Sequence, residues 1–287
     1  MRGLVLSGGG SKGAFQIGVL KRWMVDQGRD YDVIAGSSVG AINAALLCHA
    51  PKGVPRDAWV GAWDFWARVD NRAIRREWPV LGKVAALWRT SVYDSSPLQQ
   101  WVRRELNLPA IRRSGRRVLV TAVSWQTGEA CIVDQDDPAF ADWILASSSF
   151  PAMLNPITIH GEHWTDGSVR SVTPLSAAIK AGCTEVDVIL CADPTRPTAF
   201  DFGGKAAVPW LAFRAVEILA NEVARGDLEI AELKNRIEGY KQIKLRICKP
   251  DVDLDAKFGP ALDFDIDLRG LIQLGYETAC RLDQAEQ

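Results

Sequence analysis

The stretch LVLSGGGSKGAFQIGVLKRWMVDQGRDYDVIAGSSVGAINAALL, residues 4–47, decides the fold, because it contains two successive units of strand, glycine loop and helix. The apolar runs at 4–6 and 31–35 have the length of buried strands, and glycine follows each of them. Apolar periodicity predicts helices at 14–24 and 40–47, and the second is alanine-rich and apolar nearly all round. Because each strand is followed by a helix, the strands should pair in parallel within an α/β fold.

The rest of the chain continues this alternation. Further strands are predicted at residues 118–123, 131–133, 186–191 and 243–247. Further helices are predicted at residues 57–68, 97–106, 138–146, 210–237 and 268–283. Since no internal repeat or low-complexity linker divides the sequence, we expect residues 1–287 to form a single α/β domain, a three-layer sandwich around a mostly parallel central sheet.

The composition argues against several classes of protein. Hydrophobic residues make up 47% of the 287 residues and charged residues 24%, with a net charge of −1, which is typical of a globular chain and not of a nucleic-acid binder. The six cysteines form no C-x-x-C pair and the three histidines show no ligand spacing, so we expect reduced thiols and no metal site. The N-terminal residues lack the apolar region of a signal peptide, and no window approaches the ~18 apolar residues of a membrane span. We therefore expect a cytoplasmic protein whose contact with a membrane is at most peripheral.

The first glycine loop, GGGSKG at residues 8–13, supports more than one interpretation. It fits the G-x-G-x-x-G pattern between a strand and a helix, and Asp32 lies about 20 residues further on, as in a dinucleotide-binding Rossmann-type protein. The same backbone N–H groups, at the positive end of a helix dipole, can instead stabilise a tetrahedral oxyanion. A tight turn without any ligand is the third alternative, and the loop alone does not decide among them.

The second glycine loop, GSSVG at residues 36–40, favours acyl transfer. It matches G-x-S-x-G between a buried strand and a buried helix, as a nucleophile elbow requires, and Ser38 is the candidate nucleophile. Gly36 and Gly40 suit such a turn, because a Cβ has no room where strand and helix approach closely. Ser38 as a plain helix cap is the alternative, but a dinucleotide-binding fold has no need of a second glycine elbow.

A serine nucleophile needs a proton acceptor, and the histidines are poor candidates. His49 lies about 16 Å along the helix from Ser38, while His160 and His163 flank a glycine in an expected turn between short strands. Asp166 follows in an Asp-Gly pair, which is either a plain turn or a base held beside the serine. An aspartate serves as a base only where it is partly desolvated, because its ordinary pKa is too low.

Together these segments resemble the three signatures of the patatin-like phospholipases, in the order in which that family carries them: residues 8–13, residues 36–40 and the Asp166-Gly167 pair. ASSSFP at residues 146–151 is similar to the segment that the family carries shortly before its aspartate. The resemblance implies the patatin-like α/β fold. Ser168 departs from it, because the family usually has glycine or alanine after its Asp-Gly pair.

The resemblance also implies a mechanism. It implies a Ser38–Asp166 dyad without histidine, and an oxyanion hole made by backbone N–H groups of Gly8, Gly9 and Gly10. The supporting motif positions are Lys12, Gly13, Gly36, Gly40 and Gly167. The implied reaction is hydrolysis of carboxylic esters of phospholipids or lysophospholipids through an acyl-serine intermediate, with no metal or cofactor. A non-catalytic lipid-binding module that keeps these motifs is an alternative.

Residues 57–117 form a basic, tryptophan-rich insert between the serine and aspartate motifs. Within residues 68–117 there are 12 Lys and Arg against 4 Asp and Glu, a net charge of +8 (12 − 4). Trp59, Trp63 and Trp66 fall on one helical face just before this segment. Arginine beside tryptophan suits the anionic surface of a membrane, and the position of the insert suits a lid or an acyl-binding wall. A tryptophan stripe packed in the core under a solvated arginine face is the alternative.

Overall fold

The computed structural model describes residues 1–79, 82, 88–196, 208–237 and 242–286, and these residues form one eight-stranded sheet with helices on both faces. In chain order the strands are β1 Arg2–Leu6, β2 Val33–Gly36, β3 Arg117–Ser124, β4 Ala130–Asp134, β5 Ile157–Ile159, β6 Glu162–Asp166, β7 Glu185–Ile189 and β8 Lys244–Cys248. The helices are α1 Gly13–Leu20, α2 Val39–Leu47, α3 Pro55–Trp66, α4 Asn71–Ile74, α5 Ser96–Glu105, α6 Leu108–Arg113, α7 Phe140–Ser147, α8 Leu175–Lys180, α9 Val208–Asn235, α10 Leu254–Phe258 and α11 Leu268–Ala285.

The sheet is mostly parallel. Its strand order is β5-β6-β3-β2-β1-β7-β8, with β4 also paired to β3. Strands β3, β2, β1, β7 and β8 run parallel, whereas β4, β5 and β6 pair in antiparallel fashion. The parallel strands end along one edge, and in sheets of this kind ligands bind at the carboxyl ends of the strands.

Strands β2 and β6 lie end to end along β3, and this junction positions the site. Strand β4 pairs with β3 over a stretch that overlaps the pairings of both β2 and β6, so β2 and β6 must share the opposite edge of β3. On that edge β2 ends at Gly36 opposite Val120, and β6 ends at Asp166 opposite Ala122. The loop after β2 therefore begins beside the last residue of β6.

Side chains that alternate along β1 divide the core into two layers. Leu4 and Leu6 belong to the larger apolar cluster with α1, α2, α7 and α11, whereas Val5 belongs to a second cluster with α8. Leu228 of α9 packs against the second cluster. Helices thus cover both faces of the sheet, which confirms the predicted three-layer α/β fold.

The tryptophan stripe of the insert packs against the core. Trp66 is buried, and Trp59 and Trp63 are partly buried against the larger cluster with their rings stacked at 5.4 Å. The indole N–H of Trp59 donates to the carbonyl of Ile17 at 2.8 Å. The stripe is therefore part of the protein interior. None of the described helices combines the length and the apolar character that crossing a bilayer requires.

Candidate active site

Ser38 lies on a strained turn between β2 and α2. Its φ of 54° and ψ of −128° place a non-glycine residue in a region that side chains rarely adopt. A Cβ at Gly40 would lie 2.2 Å from the carbonyl oxygen of Leu6, and one at Gly36 would lie 2.2 Å from the carbonyl oxygen of Gly40. Strand and helix can approach this closely only because both positions are glycine, and this geometry is that of a nucleophile elbow.

The segment at 146–151 holds the elbow. The backbone N–H of Ser38 donates to Ser147 Oγ at 3.0 Å, and Ser148 Oγ donates to the carbonyl of Ser38 at 3.3 Å. The same segment reaches the aspartate, because the N–H of Asp166 donates to the carbonyl of Ser149 at 3.1 Å. At the level of sequence this segment shows only a family likeness, and its three adjacent serines are the local signal of a supporting role.

Asp166 is fully buried at the end of β6. Its Oδ1 accepts the backbone N–H of Ser168 at 2.7 Å, whereas Oδ2 has no well-formed hydrogen bond among the described residues. Burial raises the pKa of Asp166 to about 6, and hydrogen bonding from Ser38 opposes this rise, followed by that from Ser168. Asp166 therefore has the desolvation that the sequence argument required of a base.

The three histidines lie elsewhere. His49 Nε2 accepts the backbone N–H of Asn107 at 3.3 Å. His160 and His163 flank the turn between β5 and β6, and His163 Nδ1 shares a 3.0 Å hydrogen bond with Thr158 Oγ1. Neither Ser38 nor Asp166 has a described hydrogen bond to any of them.

The glycine loop at 8–13 follows β1 at the edge where Ser38 lies. The N–H of Gly8 already donates to the carbonyl of Val172 at 3.0 Å, so Gly8 is not available as an oxyanion donor in this arrangement. No hydrogen bond from the N–H of Gly9 or Gly10 is found among the described residues, and Gly10 has a φ of 56°. Of the three glycines expected to form an oxyanion hole, Gly9 and Gly10 are thus the two whose N–H groups have no described partner. A Cβ at Gly8 would lie 2.2 Å from Ser168 Oγ, so a larger residue there would require the Ser168 side chain to turn away.

The structure explains why two of the supporting motif positions are glycine. A Cβ at Gly13 would lie 2.5 Å from Val39 Cγ2, and one at Gly167 would lie 2.4 Å from the carbonyl oxygen of Thr121. Both glycines therefore permit the loops of the site to lie against each other.

The geometry argues against the dinucleotide interpretation. Asp32 precedes β2, where its carboxylate accepts the N–H of Arg2 at 2.7 Å and pairs with Lys52. A ribose-binding acid belongs at the carboxyl end of this strand, and the residue found there is Ser38.

A pocket opens over Ser38 and the glycine loop. Apolar residues make up most of its wall: Val39, Ile42, Phe65, Ile74, Leu98, Phe150, Leu154, Leu190, Leu262 and Phe264. Phe65, Ile74 and Leu98 come from the insert at 57–117, so this segment forms part of the wall, as its position suggested. Among the described residues, no group of three His, Cys, Asp or Glu could hold a metal ion.

Sequence and structure comparisons relate the chain to known proteins. Lysophospholipase NTE1 of Yarrowia lipolytica is 24% identical over 218 residues, covering 73% of this chain and 14% of that protein. A patatin-like phospholipase domain-containing protein of the same yeast is 28% identical over 201 residues, covering 61% of this chain and 23% of that protein. The chain thus spans less than a quarter of the length of these curated relatives. The solved structure of VipD from Legionella pneumophila aligns with 99% of this chain and 67% of its own, with a TM-score of 0.48 and 15% identity. The profile of the patatin-like phospholipase family matches residues 4–179, more than half of the chain, and the protein therefore belongs to that family.

Proposed function

We propose that the protein is a serine hydrolase that cleaves carboxylic esters of phospholipids or lysophospholipids. The observation that carries this proposal is a serine on a strained elbow beside a buried aspartate whose pKa is raised to about 6, under a mostly apolar pocket. Relatives named as lysophospholipases support the same substrate class.

In the proposed reaction Asp166 accepts the proton of Ser38 as Oγ attacks the ester carbonyl. The negative charge that develops on the carbonyl oxygen is stabilised by the N–H groups of Gly9 and Gly10. Collapse of the tetrahedral intermediate breaks the ester bond, and the leaving alcohol takes the proton from Asp166. Water then attacks the acyl-serine while Asp166 accepts its proton. Collapse of the second tetrahedral intermediate breaks the bond between the acyl carbon and Ser38 Oγ, releases the fatty acid and returns the proton to Ser38. These steps need no metal or cofactor.

The pocket wall and the insert fit a lipid substrate. The acyl chain would lie against Phe65, Ile74 and Leu98, which are all buried. We further propose peripheral contact with an anionic membrane through exposed cations of the insert. All six cysteines are free thiols, which supports a reducing, cytoplasmic setting.

Two substitutions test the dyad. Ser38→Ala and Asp166→Asn should each lower ester hydrolysis about a thousandfold or more, because each removes a group that acts in the chemical step. The wild-type rate should rise with pH through about 6, where Asp166 ionises. The measurement is hydrolysis of a soluble short-chain ester and of a lysophospholipid across pH 4–9.

The histidines provide the control for this test. His160→Ala and His163→Ala should keep most of the activity, and a fluorophosphonate should label Ser38 with a chelator present. A histidine variant as inactive as Asp166→Asn would overturn the dyad. Wild-type protein that binds lysophospholipid but neither reacts with the probe nor hydrolyses any ester would instead be a non-catalytic lipid-binding module.

A further inference from the structure

The segment at 261–265, between α10 and α11, connects the glycine loop to the insert along the pocket wall. It belongs to no helix or strand. At one end the carbonyl of Ala261 accepts the N–H of Ser11 at 2.7 Å. Further along, Leu262 and Phe264 line the pocket. The segment therefore supplies two apolar side chains to the site although its backbone has no regular hydrogen-bonded structure of its own.

The other end of the 261–265 segment is held by Asn71, the first residue of α4 in the insert. Oδ1 of Asn71 accepts the backbone N–H of Phe264 at 2.9 Å. Its Nδ2 donates to Asp263 Oδ1 at 2.8 Å and to Asp265 Oδ2 at 2.9 Å. The backbone N–H of Asn71 also donates to Asp265 Oδ1 at 3.1 Å. One asparagine side chain thus binds three successive residues of the segment.

These hydrogen bonds matter most for the placement of Phe264. Asp265 is exposed, so water could replace Asn71 as the donor to its carboxylate. Phe264 is buried, and a buried backbone N–H requires an acceptor, which Asn71 supplies. Phe65 and Leu98, on the same wall, belong to α3 and α5. The backbone at Phe264 is therefore fixed by the Asn71 side chain, whereas those of Phe65 and Leu98 are fixed by helical hydrogen bonds.

The charges of the segment explain why an amide, and not a carboxylate, occupies position 71. Hydrogen bonds from the backbone N–H and the side chain of Asn71 lower the pKa of Asp265, so this carboxylate is ionised at neutral pH. The two N–H groups of the Asn71 amide face Asp263 and Asp265 and offset the repulsion between them. Asn71→Asp would keep an acceptor for the N–H of Phe264, but it would place a third carboxylate against the other two.

We propose that Asn71 is a positioning residue for acyl-chain recognition: it holds Phe264 in the pocket wall, and the completed wall favours long acyl chains over short ones. The inference rests on the proposed function, because it assigns the acyl-chain preference of the same pocket. A long chain covers more of the apolar wall than a short one, so loss of Phe264 from the wall affects it more. Ala261 keeps its hydrogen bond with Ser11 when Asn71 is replaced. The glycine loop should then stay in place, and the chemical step with a short ester should be unchanged.

The test compares hydrolysis of p-nitrophenyl butyrate with that of p-nitrophenyl palmitate. Asn71→Ala should raise KM for the palmitate ester about tenfold, because each methylene that loses apolar contact lowers affinity about fourfold and a phenyl ring covers more than one of them. It should leave kcat and KM for the butyrate ester unchanged. Asn71→Asp should have at least the same effect, and adding Asp265→Asn should recover part of it, since the amide can then donate to the new carboxylate. Asn107→Ala is the matched control: it makes the same substitution within the insert, at an asparagine that caps α6 outside the pocket wall, and it should resemble wild type on both esters.

A double-mutant cycle decides whether Asn71 acts through Phe264. Phe264→Ala alone should reproduce the effect of Asn71→Ala, and the double variant should be no weaker than either single variant. Equal losses on both esters in Asn71→Ala would make its role structural and overturn the inference. An unchanged chain-length preference in Asn71→Ala, or additive effects in the double variant, would overturn it as well.

Binding without turnover separates this inference from the proposed function. In a Ser38→Ala background, calorimetric titration should show that palmitate binds more tightly than octanoate, and adding Asn71→Ala should remove most of that preference. If binding behaves in this way but the wild type hydrolyses no ester, the role of Asn71 stands and the hydrolase proposal fails. If the wild type hydrolyses both esters and Asn71→Ala keeps the wild-type chain preference, the hydrolase proposal stands and the role of Asn71 fails.

Discussion

At Asp166 the fold maintains a carboxyl group in surroundings that oppose its ionisation. The side chain is fully buried, and its Oδ1 accepts a 2.7 Å hydrogen bond from the N–H of Ser168. Its folded-state pKa of about 6 lies above its ordinary value of 3.8. A raised folded-state pKa means that the protonated form is favoured in the native state. The associated stability is fully present below about pH 4 and is lost as pH rises through about 6.

Asp166→Asn should therefore increase stability at the pH where it abolishes activity. An amide stays neutral, so the variant avoids an ionisation penalty of about 2–3 kcal/mol above pH 7, given about 1.4 kcal/mol per pKa unit. Chemical denaturation at pH 8 should show that gain, and at pH 4 the difference from wild type should vanish. Asp94→Asn is a control whose effect on stability should have the opposite sign. Hydrogen bonds from Ser96 and Arg76 lower the pKa of Asp94 despite its burial. Asp94→Asn should lower stability at pH 8, and an Asp166→Asn protein that is less stable than wild type at pH 8 would contradict the argument.

Sequence alone was sufficient to identify Ser38 and Asp166 as candidates, because Ser38 is the central residue of GSSVG after a short strand and Asp166 precedes a glycine. It could not show how the N–H groups of the glycine loop are used. Gly8 donates to Val172, a residue 164 positions away, and such a contact has no local signature.

Among the loops, the 8–13 segment shows why a glycine can be required for space as well as for conformation. Gly10 has a positive φ, and a Cβ there would lie 2.0 Å from the carbonyl oxygen of Ala261. Gly28 also has a positive φ, of 66°, but a Cβ there would meet nothing within 4 Å. Substitution of either glycine therefore introduces backbone strain, but only substitution of Gly10 also introduces a steric collision.

Gly10→Ala should abolish ester hydrolysis, because the loop must move away from Ala261 and carries the proposed oxyanion donors with it. Gly28→Ala should keep activity and lower the free energy of unfolding by about 1 kcal/mol, the usual effect of a side chain at positive φ. Steady-state kinetics and urea denaturation of both variants provide the comparison. Full activity in Gly10→Ala would remove this loop from the reaction.

At the level of helices and strands, periodicity predicted most elements within a few residues, and the exceptions have physical causes. The helix predicted at 210–237 is α9, but its apolar residues Leu219 and Ile230 are 64% and 51% exposed. Its inward face instead carries Ala224 and, over the pocket, Arg214 and Glu217. A helix whose inward face carries charged side chains over a pocket does not follow the apolar-inside pattern on which periodicity depends. Short helices such as α4 and α10 have too few turns to show a period.

Over the whole molecule, the sheet brings distant segments of chain to one place, and the insert supplies a wall of the resulting pocket. Several arginines of the insert are also already paired with carboxylates of the protein. Among the described residues, five of its arginines form salt bridges: Arg76 with Asp94, Arg103 with Asp142, Arg104 with Glu105, Arg116 with Asp30 and Arg117 with Asp134. Because Asp142, Asp30 and Asp134 lie outside residues 68–117, their pairs offset charge that the net value of +8 still counts, and this value overstates what the insert presents to a membrane. Exposed cations such as Arg72 and Arg113 remain to make the proposed contact.

If the insert contacts the membrane, binding to anionic vesicles should depend on where the cations lie as well as on the net charge of the protein. Arg72→Glu combined with Arg113→Glu should weaken binding to anionic vesicles about thirtyfold or more, since each cation near an anionic surface contributes about 1 kcal/mol. Lys180→Glu combined with Arg269→Glu changes the net charge by the same amount at exposed residues outside the insert, and should have a much smaller effect. The measurement is co-sedimentation with anionic and zwitterionic vesicles at low and high salt, where screening should reduce the wild-type preference. Equal losses in the two double variants would mean that only net charge matters. Equal wild-type binding to both vesicle types would exclude the anionic contact while leaving the Ser38–Asp166 chemistry untouched.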